Sequence, residues 1–508
     1  MDPTSKIKRI IDDQPKTSVE GLIRSIEEPQ PQPLAPEPQS MPDVAVVGAG
    51  AAGLTAALRA AQSGARVVLL NAHPRIGLKI LMSGGTRCNV THEAVSERDF
   101  HGGSRNVIAR ILRAFDVPAT LAWFEDELDV PLKLEETGKY FPVTDDAQSV
   151  LDALLQACNR AGVKIESGAR VVRIERDAKE IAKEADAEYG ADVDELLVET
   201  AGVSLPGNPS SIRDFRLGIQ TVHDSAAFDP GLVSRRGGQE WAPPNAKVDR
   251  WVTARRVILA CGGLSFPRTG SDGAGYSLAA ACGHTIVPPV PALTPLTSDD
   301  ALCRDAQGVT IPAELALWVG GRRVEVVPGS LLIAHFGFSG PAALDLSRHW
   351  LRAEGERRVT ASFAPGETHE SMMTAWLDAV KNAPERTVRR QLGRWVPERI
   401  AARMCMESQV DPAKPVPQVS REQRAALIAQ LLERDLRVKG TLGYEKAEVT
   451  AGGVALNEVD ASTLVSRLCP GLYLCGEILD VEGRLGGFNF QWSWSSGTVA
   501  GRAAAGSR

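Results

Sequence analysis

The chain has 508 residues, and its 57 basic residues against 63 acidic ones give a formal net charge of −6. Hydrophobic residues make up 43% and charged residues 24%, the balance of an ordinary globular protein. A mildly acidic chain lacks the positive field of a dedicated nucleic-acid-binding protein, so we expect no nucleic-acid partner. The 47 glycines beside only 5% aromatic residues predict many tight turns and close backbone approaches.

Cysteine usage and the N-terminal sequence indicate a reducing compartment. The 8 cysteines are scattered without a C-x-x-C pair, which excludes a zinc ribbon and the dithiol of disulfide reductases. No spacing of possible ligands predicts a metal site. The N-terminus has no apolar signal segment, and the uncharged run from Val44 to Leu58 is too short to cross a bilayer. We expect a cytoplasmic protein with no membrane partner, and the oligomeric state stays open.

The first 41 residues are rich in proline and glutamine. Proline alternates with polar residues between Glu28 and Gln39, and such a composition cannot bury enough apolar surface to fold. We therefore expect residues 1–41 to be a disordered tail.

The strongest local signal is a complete β–turn–α–β unit that follows this tail. A strand over Val44–Val47 leads into the turn Gly48–Gly53, then into a helix over Leu54–Ser63 and a second strand over Arg66–Leu70. In this context a G-x-G-x-x-G motif predicts a dinucleotide site.

The three glycines of that motif have separate tasks. Gly48 permits the tight turn, Gly50 lets the backbone approach a pyrophosphate, and Gly53 lets the helix pack closely on the strand. The N-terminus of the helix then offers free N–H groups and a partial positive charge to the phosphates.

One position departs from the usual pattern. Asn71 ends the second strand, where an acid normally binds the adenosine ribose. An amide still hydrogen-bonds a hydroxyl but without charge assistance, and it does not repel a 2′-phosphate. We expect weaker but retained adenosine binding.

Further glycine motifs favour a flavin over a diffusible nicotinamide. Val257–Ala260 reads as a strand that runs into Gly262 and Gly263, and Leu472–Leu474 reads as another that ends near Gly476 and Glu477. Gly486 and Gly487 then precede a helix of small residues, whose N-terminus can stabilise negative charge on a reduced flavin.

The rest of the chain suggests an insert between two parts of a cofactor domain. We predict the FAD-binding domain in residues 42–290 and 444–508. We also predict an insertion at 176–250 that begins in a charge-rich helical run and serves as surface decoration. Residues 291–443 form the insert domain, β-rich over 291–365 and helical over 366–443.

The sequence resembles a known family at this point. The BaiN-like NAD(P)/FAD-dependent oxidoreductases, also called the aminoacetone oxidase family, carry closely similar motifs. In this chain the motifs are Val46–Leu54, Gly77–Asn89, Phe141–Thr144, Gly262–Pro267 with Gly270–Gly273, His335–Pro341, and Gly476–Asp480 through Gly486–Gln491. Asn71, Thr86 (commonly glycine in that loop) and the 176–250 insertion depart from the family pattern.

The resemblance implies an α/β fold in which a discontinuous, Rossmann-like two-dinucleotide-binding FAD domain carries an inserted β-barrel-like plus helical region. It also implies one non-covalently bound FAD with NAD(P)H as the electron donor. The residues predicted to bind the cofactor are Gly48, Gly50, Ala51, Ala52, Gly53, Asn71, Lys79, Ser83, Gly84, Gly85, Arg87, Cys88, Asn89, Gly262, Gly263, Gly476, Glu477, Gly486, Gly487, Phe488 and Asn489.

Three residues are catalytic candidates. His335 lies in a glycine-rich turn and titrates near neutrality, which suits proton delivery, although a hydrogen-bonded loop histidine is the alternative. Arg87 follows the glycines of the flavin loop, where it either compensates negative charge or forms a structural ion pair. Arg268 either clamps a substrate carboxylate or lies on the surface. Cys88 is a further possible nucleophile, but a cationic neighbour does not establish a lowered pKa.

We predict an FAD-dependent oxidoreductase that passes electrons from NAD(P)H to a small conjugated substrate. The first alternative is a flavin-dependent amine oxidase that uses oxygen. The second is a flavin-containing RNA-modification or regulatory protein, for which the basic clusters at Arg386–Arg394 and Arg421–Arg437 would serve, although interleaved acidic residues also fit solvated helix faces.

Overall fold

The structure is a computed structural model, and it describes residues 41–176, 214–223 and 246–506. The predicted tail therefore lies outside the described residues, except for Met41, and so does the charge-rich run that follows Arg176. All elements below belong to the compact unit Pro42–Arg508. None of the helices in the described ranges is both long and apolar enough to span a bilayer.

The strands in chain order are β1 (Val44–Val47), β2 (Val67–Asn71), β3 (Thr91–His92), β4 (Phe100–Gly102), β5 (Leu132–Leu134), β6 (Lys139–Pro142), β7 (Lys164–Ser167), β8 (Ala169–Glu175), β9 (Phe215–Thr221), β10 (Arg250–Ala254), β11 (Arg256–Leu259), β12 (Ile286–Ala292), β13 (Leu296–Ser298), β14 (Thr310–Val319), β15 (Arg322–Ala334), β16 (Gly337–Ser339), β17 (Arg357–Ser362), β18 (Arg434–Asp435), β19 (Val438–Thr441), β20 (Val449–Val454), β21 (Leu472–Leu474) and β22 (Val481–Gly483).

The helices are α1 (Ala51–Gln62), α2 (Leu78–Met82), α3 (Arg105–Ala114), α4 (Val117–Ala122), α5 (Ala147–Arg160), α6 (Ala274–Ala281), α7 (Leu302–Asp305), α8 (Pro341–Arg352), α9 (His369–Asn382), α10 (Val388–Leu392), α11 (Glu398–Glu407), α12 (Arg421–Leu432) and α13 (Phe488–Ala505).

A five-stranded parallel sheet forms the centre of the molecule, in the order β21-β11-β1-β2-β7. All four residues of β1 are buried, which explains its uninterrupted β-branched and apolar sequence. The predicted β–turn–α–β unit is thus confirmed, and a strand from the C-terminal part of the chain joins the same sheet.

Helix α1 packs against this sheet and against the last helix, α13, which itself contacts β11 and β21. Small residues make the close packing possible: a Cβ at Gly497 would lie 2.6 Å from the Ala52 carbonyl oxygen, and one at Gly501 would collide with that of Ala56. The two glycines are four residues apart and therefore share one face of α13.

The predicted insertion at 176–250 contains a core strand. Strand β9 lies between β8 and β10 in an antiparallel sheet, and its residues Phe215, Leu217 and Ile219 are fully buried. At these residues the prediction of surface decoration is wrong, because their alternating apolar side chains pack into the main core.

The residues between 296 and 436 have a hydrophobic core of their own. Its sheet has seven antiparallel strands in the order β18-β17-β14-β15-β16-β13-β19. Only Leu436 and Arg437 separate the two edge strands in sequence, so the sheet must curl until its edges approach one another. The curl gives the barrel-like shape that the family resemblance implies, and helices α8 and α12 pack against strands of this sheet. The exact domain boundaries stay a prediction.

Candidate functional site

A cavity of about 430 Å³ lies at the carboxyl ends of the parallel strands. The residues that follow β1, β2, β11 and β21 all contribute to its lining. In open α/β sheets this edge is where ligands bind, because the strand-to-helix turns leave a crevice there. The volume lies within the range of small-molecule and cofactor sites.

The turn after β1 has the backbone that the glycine motif predicts. Gly48 has φ +105°, and a Cβ there would collide with the Ala260 carbonyl oxygen. A Cβ on Gly53 would overlap the Gly48 carbonyl oxygen, so helix α1 could not stay against the strand. Gly50 lines the cavity and has no heavy atom within 4 Å of an added Cβ, which leaves open space beside the start of α1.

The N-terminus of α1 is free of competing groups. No side chain caps Gly50, and no acidic residue occurs in the first turn. The N–H groups at this helix end are therefore available to an anion, and the helix dipole favours one.

Asn71 lines the cavity and also holds the glycine-rich turn in place. Its Oδ1 accepts a hydrogen bond from the Ala49 N–H at 3.1 Å, and its Nδ2 donates to the His73 carbonyl at 2.6 Å. The amide thus joins the turn after β1 to the loop after β2. A carboxylate at this position could accept from Ala49 but could not donate to His73.

Lys79 and Glu477 form a polar cluster in the middle of the cavity lining. Lys79 Nζ lies 2.8 Å from Glu477 Oε2 and donates to Ser265 Oγ at 2.9 Å. Glu477 Oε1 accepts from Ser265 Oγ at 2.7 Å and from the Thr450 N–H at 3.0 Å. The carboxylate predicted to hold cofactor hydroxyls thus also joins its own segment to three others that are distant in sequence, those of Lys79, Ser265 and Thr450.

The loop Ser83–Asn89 has an unusual backbone. Gly84, Gly85 and Thr86 have φ values of +57°, +67° and +71°, and Cys88 has φ +60°. Glycine adopts this left-handed region at no steric cost, but a β-branched residue such as Thr86 is strained there. The strain explains why glycine is the usual residue at this position in the family that the sequence resembles.

Arg87 lines the cavity but is engaged by acidic side chains. Its Nη1 lies 2.6 Å from Glu135 Oε1 and 3.3 Å from Asp145 Oδ1, and its guanidinium lies 3.9 Å above the Phe141 ring. This geometry favours the structural ion pair over charge compensation on a substrate.

Cys88 is fully buried and does not line the cavity. Burial raises the pKa of its thiol to about 12, so the nucleophilic thiolate is not formed near neutral pH. The structure gives no support to a reactive Cys88.

The N-terminus of α13 approaches the same cavity from the other side. Gly486 and Gly487 line it, with φ +134° and +94°. With its amide oxygen toward α13, Asn89 accepts from the Gly487 N–H at 3.0 Å and donates to the Thr91 carbonyl at 2.9 Å. The side-chain amide of Asn489 accepts a hydrogen bond from the Gly483 N–H and donates one to the Gly483 carbonyl. Asn89 and Asn489 therefore fix the glycine turn in front of the helix.

Two catalytic candidates lie away from the cavity. His335 is exposed in the turn between β15 and β16, with its ring against Phe336 at 5.1 Å. Arg268 is exposed in a short 3₁₀ turn. Neither residue lines the cavity, which corrects the interpretation of both as substrate-facing groups. The Arg268 loop borders the cavity through Phe266 and Thr269, whereas no residue of 335–341 lines it.

Most of the predicted cofactor residues come together. Those that line the cavity are Gly48, Gly50, Ala51, Ala52, Asn71, Lys79, Ser83, Gly84, Gly85, Arg87, Asn89, Gly262, Glu477, Gly486, Gly487 and Asn489. Those behind the lining are Gly53, Cys88, Gly263, Gly476 and Phe488.

Sequence reasoning missed several polar residues of the lining. Lys139 lines the cavity and lies two positions before Phe141, the first residue of the motif Phe141–Thr144. Its closeness to that motif in sequence is the signal that could have identified it. Arg170 and Asp272 form an ion pair at the cavity, and Glu448 lines it from a segment without a motif. Nothing in the local sequence marks Glu448.

The residues present fit a dinucleotide with an aromatic ring system. The open space at Gly50, beside an uncapped and acid-free helix end, suits a pyrophosphate. Two further glycine turns, at Gly84–Gly85 and Gly486–Gly487, also line the cavity, and Gly84 and Gly85 are exposed. A mononucleotide or a nicotinamide dinucleotide would not require this second set of segments.

The chain matches the family model described as HI0933-like protein Rossmann domain over residues 42–228 and 241–503. It is 32% identical over 468 residues to the 3-dehydro-bile acid delta(4,6)-reductase of Clostridium scindens, which covers 91% of this chain and 98% of that protein.

It is 29% identical over 466 residues to the ribosomal RNA dihydrouridine synthase of Escherichia coli, with 89% of this chain and 96% of that protein covered. Among solved structures, 3-ketosteroid-delta4-(5alpha)-dehydrogenase from Rhodococcus jostii aligns with a TM-score of 0.41 and 15% identity, over 93% of this chain and 99% of that chain. The chain therefore belongs to the HI0933-like Rossmann family, the BaiN-like FAD-dependent oxidoreductases whose motifs its sequence carries.

Proposed function

We propose that this protein uses FAD to reduce a carbon–carbon double bond conjugated with a carbonyl group in a small organic molecule, with NAD(P)H as the electron donor. The observation that carries the proposal is that one cavity is lined by the dinucleotide turn and by the glycine segments Gly84–Gly85 and Gly486–Gly487. The bile-acid reductase supports the same chemistry, because its name describes reduction of double bonds conjugated with a 3-oxo group.

The proposed cofactor contacts follow the lining. The turn Gly48–Ala52 would hold the pyrophosphate, Asn71 the adenosine side, and Ser83–Gly85 with Gly487 the flavin ring. Glu477 and Lys79 would meet the hydroxyl-rich linker between them. FAD, when bound, supplies the two-electron redox chemistry, and the chain supplies orientation and charge.

Anaerobic titration of the purified holoprotein with NADH and NADPH tests the donor. We expect one of them to bleach the visible band of oxidised flavin. A conjugated enone added afterwards, such as a 3-oxo-Δ4,6 bile acid or 2-cyclohexen-1-one, should restore the band. If neither nicotinamide bleaches the flavin, a nicotinamide-linked reductase is refuted.

The amine-oxidase alternative predicts a different pattern in the same cuvette. An amine would bleach the flavin without NAD(P)H, and admission of air would then produce hydrogen peroxide. Amines that leave the spectrum unchanged would exclude this alternative.

An RNA substrate is a second candidate because of the relatives named ribosomal RNA dihydrouridine synthase. Dihydrouridine is uridine with a saturated C5–C6 bond, and that bond is also conjugated with a carbonyl, so the chemistry in the cavity would be the same. The two candidates differ in the substrate that carries the bond. Binding to ribosomal RNA that weakens steeply with salt, together with dihydrouridine formation, would favour RNA. The absence of binding at low salt would exclude it.

A further inference from the structure

Two ionisable side chains of the cavity lining, Lys139 and Glu448, have no bonding partner among the described residues. Within the described parts of the chain, neither forms an ion pair or a side-chain hydrogen bond. By contrast, Lys79 is paired with Glu477 and Arg87 with Glu135. Charged side chains that line a cavity and have no protein partner are available to a ligand.

Both residues line the cavity, and the charge of Lys139 acts on Glu448. Lys139 begins β6, and its stem runs beside the turn before α13: a Cβ on Gly486 would lie 3.6 Å from Lys139 Cε. Glu448 directly precedes β20, and its backbone N–H donates to the Leu293 carbonyl at 3.2 Å. Leu293 also lines the cavity, so Glu448 lies where the insert joins the cofactor domain.

The surroundings favour the protonated form of Glu448. The side chain is exposed, and it lines the cavity. The protein around it raises the pKa of this carboxyl group by desolvation, and the negative charge of Asp345 adds to the effect. The positive charge of Lys139 opposes the shift without reversing it. Glu448 is thus a carboxylic acid that retains its proton to a higher pH than an ordinary glutamate.

Reduction of a conjugated double bond needs two groups of these kinds. Addition of a hydride at the β-carbon moves the π electrons toward the carbonyl oxygen and creates an enolate. A cation near the oxygen stabilises that charge, and an acid near the α-carbon completes the reaction.

On the basis of the proposed function, we propose that Glu448 protonates the α-carbon of the substrate and that the Lys139 ammonium group binds its carbonyl oxygen. FAD, when bound and reduced, would supply the hydride that adds to the β-carbon. The enolate electron pair then forms the new bond between the α-carbon and hydrogen as the O–H bond of Glu448 breaks. The Glu448 carboxylate regains a proton from solvent, so the net change is addition of H⁻ and H⁺ across the double bond.

The first test separates the two half-reactions of the holoenzyme by anaerobic stopped-flow spectroscopy. In Glu448→Gln we expect flavin reduction by the nicotinamide to stay within about twofold of wild type, because no substrate proton moves in that step. Reoxidation by 2-cyclohexen-1-one or a 3-oxo-Δ4,6 bile acid should slow by about 10²–10⁴-fold, the usual contribution of a general acid. Glu448→Asp should recover part of the rate. Glu445→Gln is the matched control, because Glu445 is exposed and does not line the cavity.

The pH profile of reoxidation gives a second readout. The wild-type rate should fall as Glu448 loses its proton with rising pH, and this limb should be absent in Glu448→Gln. Lys139 and Asp345 are the charged groups that act on Glu448. Asp345→Asn should move the limb to lower pH without removing it, because it removes a negative charge. A limb that disappears in Asp345→Asn and persists in Glu448→Gln would overturn the assignment.

Ligand binding tests Lys139 without turnover. Calorimetry with 4-nitrophenolate, a stable mimic of an enolate oxygen, should show binding to the oxidised holoenzyme that is at least about tenfold weaker in Lys139→Met. Lys139→Arg should retain most of the affinity, and Lys446→Met, an exposed control, should match wild type. Equal affinity in wild type and Lys139→Met would refute the role of Lys139.

The outcomes distinguish a failure of the proposed function from a failure of the role assigned to Glu448. If the wild-type flavin is not reoxidised by a conjugated enone, the proposed function fails and the roles of Lys139 and Glu448 fail with it. If wild type is reoxidised and Glu448→Gln is equally fast, only the assignment of Glu448 is overturned.

Discussion

Thr86 offers a quantitative test of the backbone at the flavin loop. The residue has φ +71°, its side chain is exposed, and its hydroxyl forms no hydrogen bond with any residue that the structure describes. A left-handed conformation costs a residue with a Cβ about 1–2 kcal/mol. Glycine removes that cost but loses about 0.5–1 kcal/mol through its more flexible unfolded chain. We therefore expect Thr86→Gly to raise the free energy of unfolding by about 0.5–1 kcal/mol.

Thermal and urea unfolding of the apoprotein and the FAD-loaded protein measure this gain. Thr86→Ala is the matched control, because it removes the exposed hydroxyl but retains the Cβ and therefore most of the strain. Thr86→Asn should fall between alanine and glycine, since asparagine tolerates the left-handed region. In a chain of this size the gain corresponds to an increase of about 0.5–1 °C in Tm. Equal or lower stability of Thr86→Gly relative to Thr86→Ala would refute the argument from strain.

Three further predictions concern other parts of the site. Gly53→Ala should abolish FAD binding, seen as a colourless purified protein, because the new Cβ overlaps the Gly48 carbonyl oxygen; a yellow variant with wild-type stability would contradict this. Burial raises the pKa of Asp345 from 3.8 to about 6, so the folded state binds the proton more tightly and stability falls as pH rises from about 4 to about 6. Asp345→Asn should then gain up to about 3 kcal/mol over wild type at pH 7 and nothing near pH 4 in urea titrations, and a pH-independent difference would exclude the shift. A double-mutant cycle of Arg87→Met and Glu135→Gln should give a coupling energy of about 0.5 kcal/mol, since both side chains are about one-third exposed, and additive effects would argue against the structural ion pair.

The cofactor half of the site could be predicted because its signals are local. The spacing of Gly48, Gly50 and Gly53 follows from the geometry of one turn and the first turn of one helix, and both involve neighbours in sequence. The same holds for the flavin loop, where Gly84 and Gly85 indicate a backbone that other residues rarely adopt.

The direction of side chains in loops could not be predicted in this way. His335 and Arg268 occur in glycine-rich motifs, yet both point to solvent, because the orientation of a loop depends on the strands and helices that hold its ends. Arg87 shows the same limit: its partners Glu135 and Asp145 are 48 and 58 residues away in sequence.

The sequence by itself determined the fold class, the family and the position of the dinucleotide turn, since each depends on short runs of residues whose backbone geometry is nearly fixed. The tertiary structure decided which charges are already used and which remain available. It brings Lys79, Ser265 and Glu477 together from distant segments, and it leaves Lys139 and Glu448 without partners in the described part of the same cavity. Charges interact through space, and only the folded chain defines their separation and the amount of protein around them.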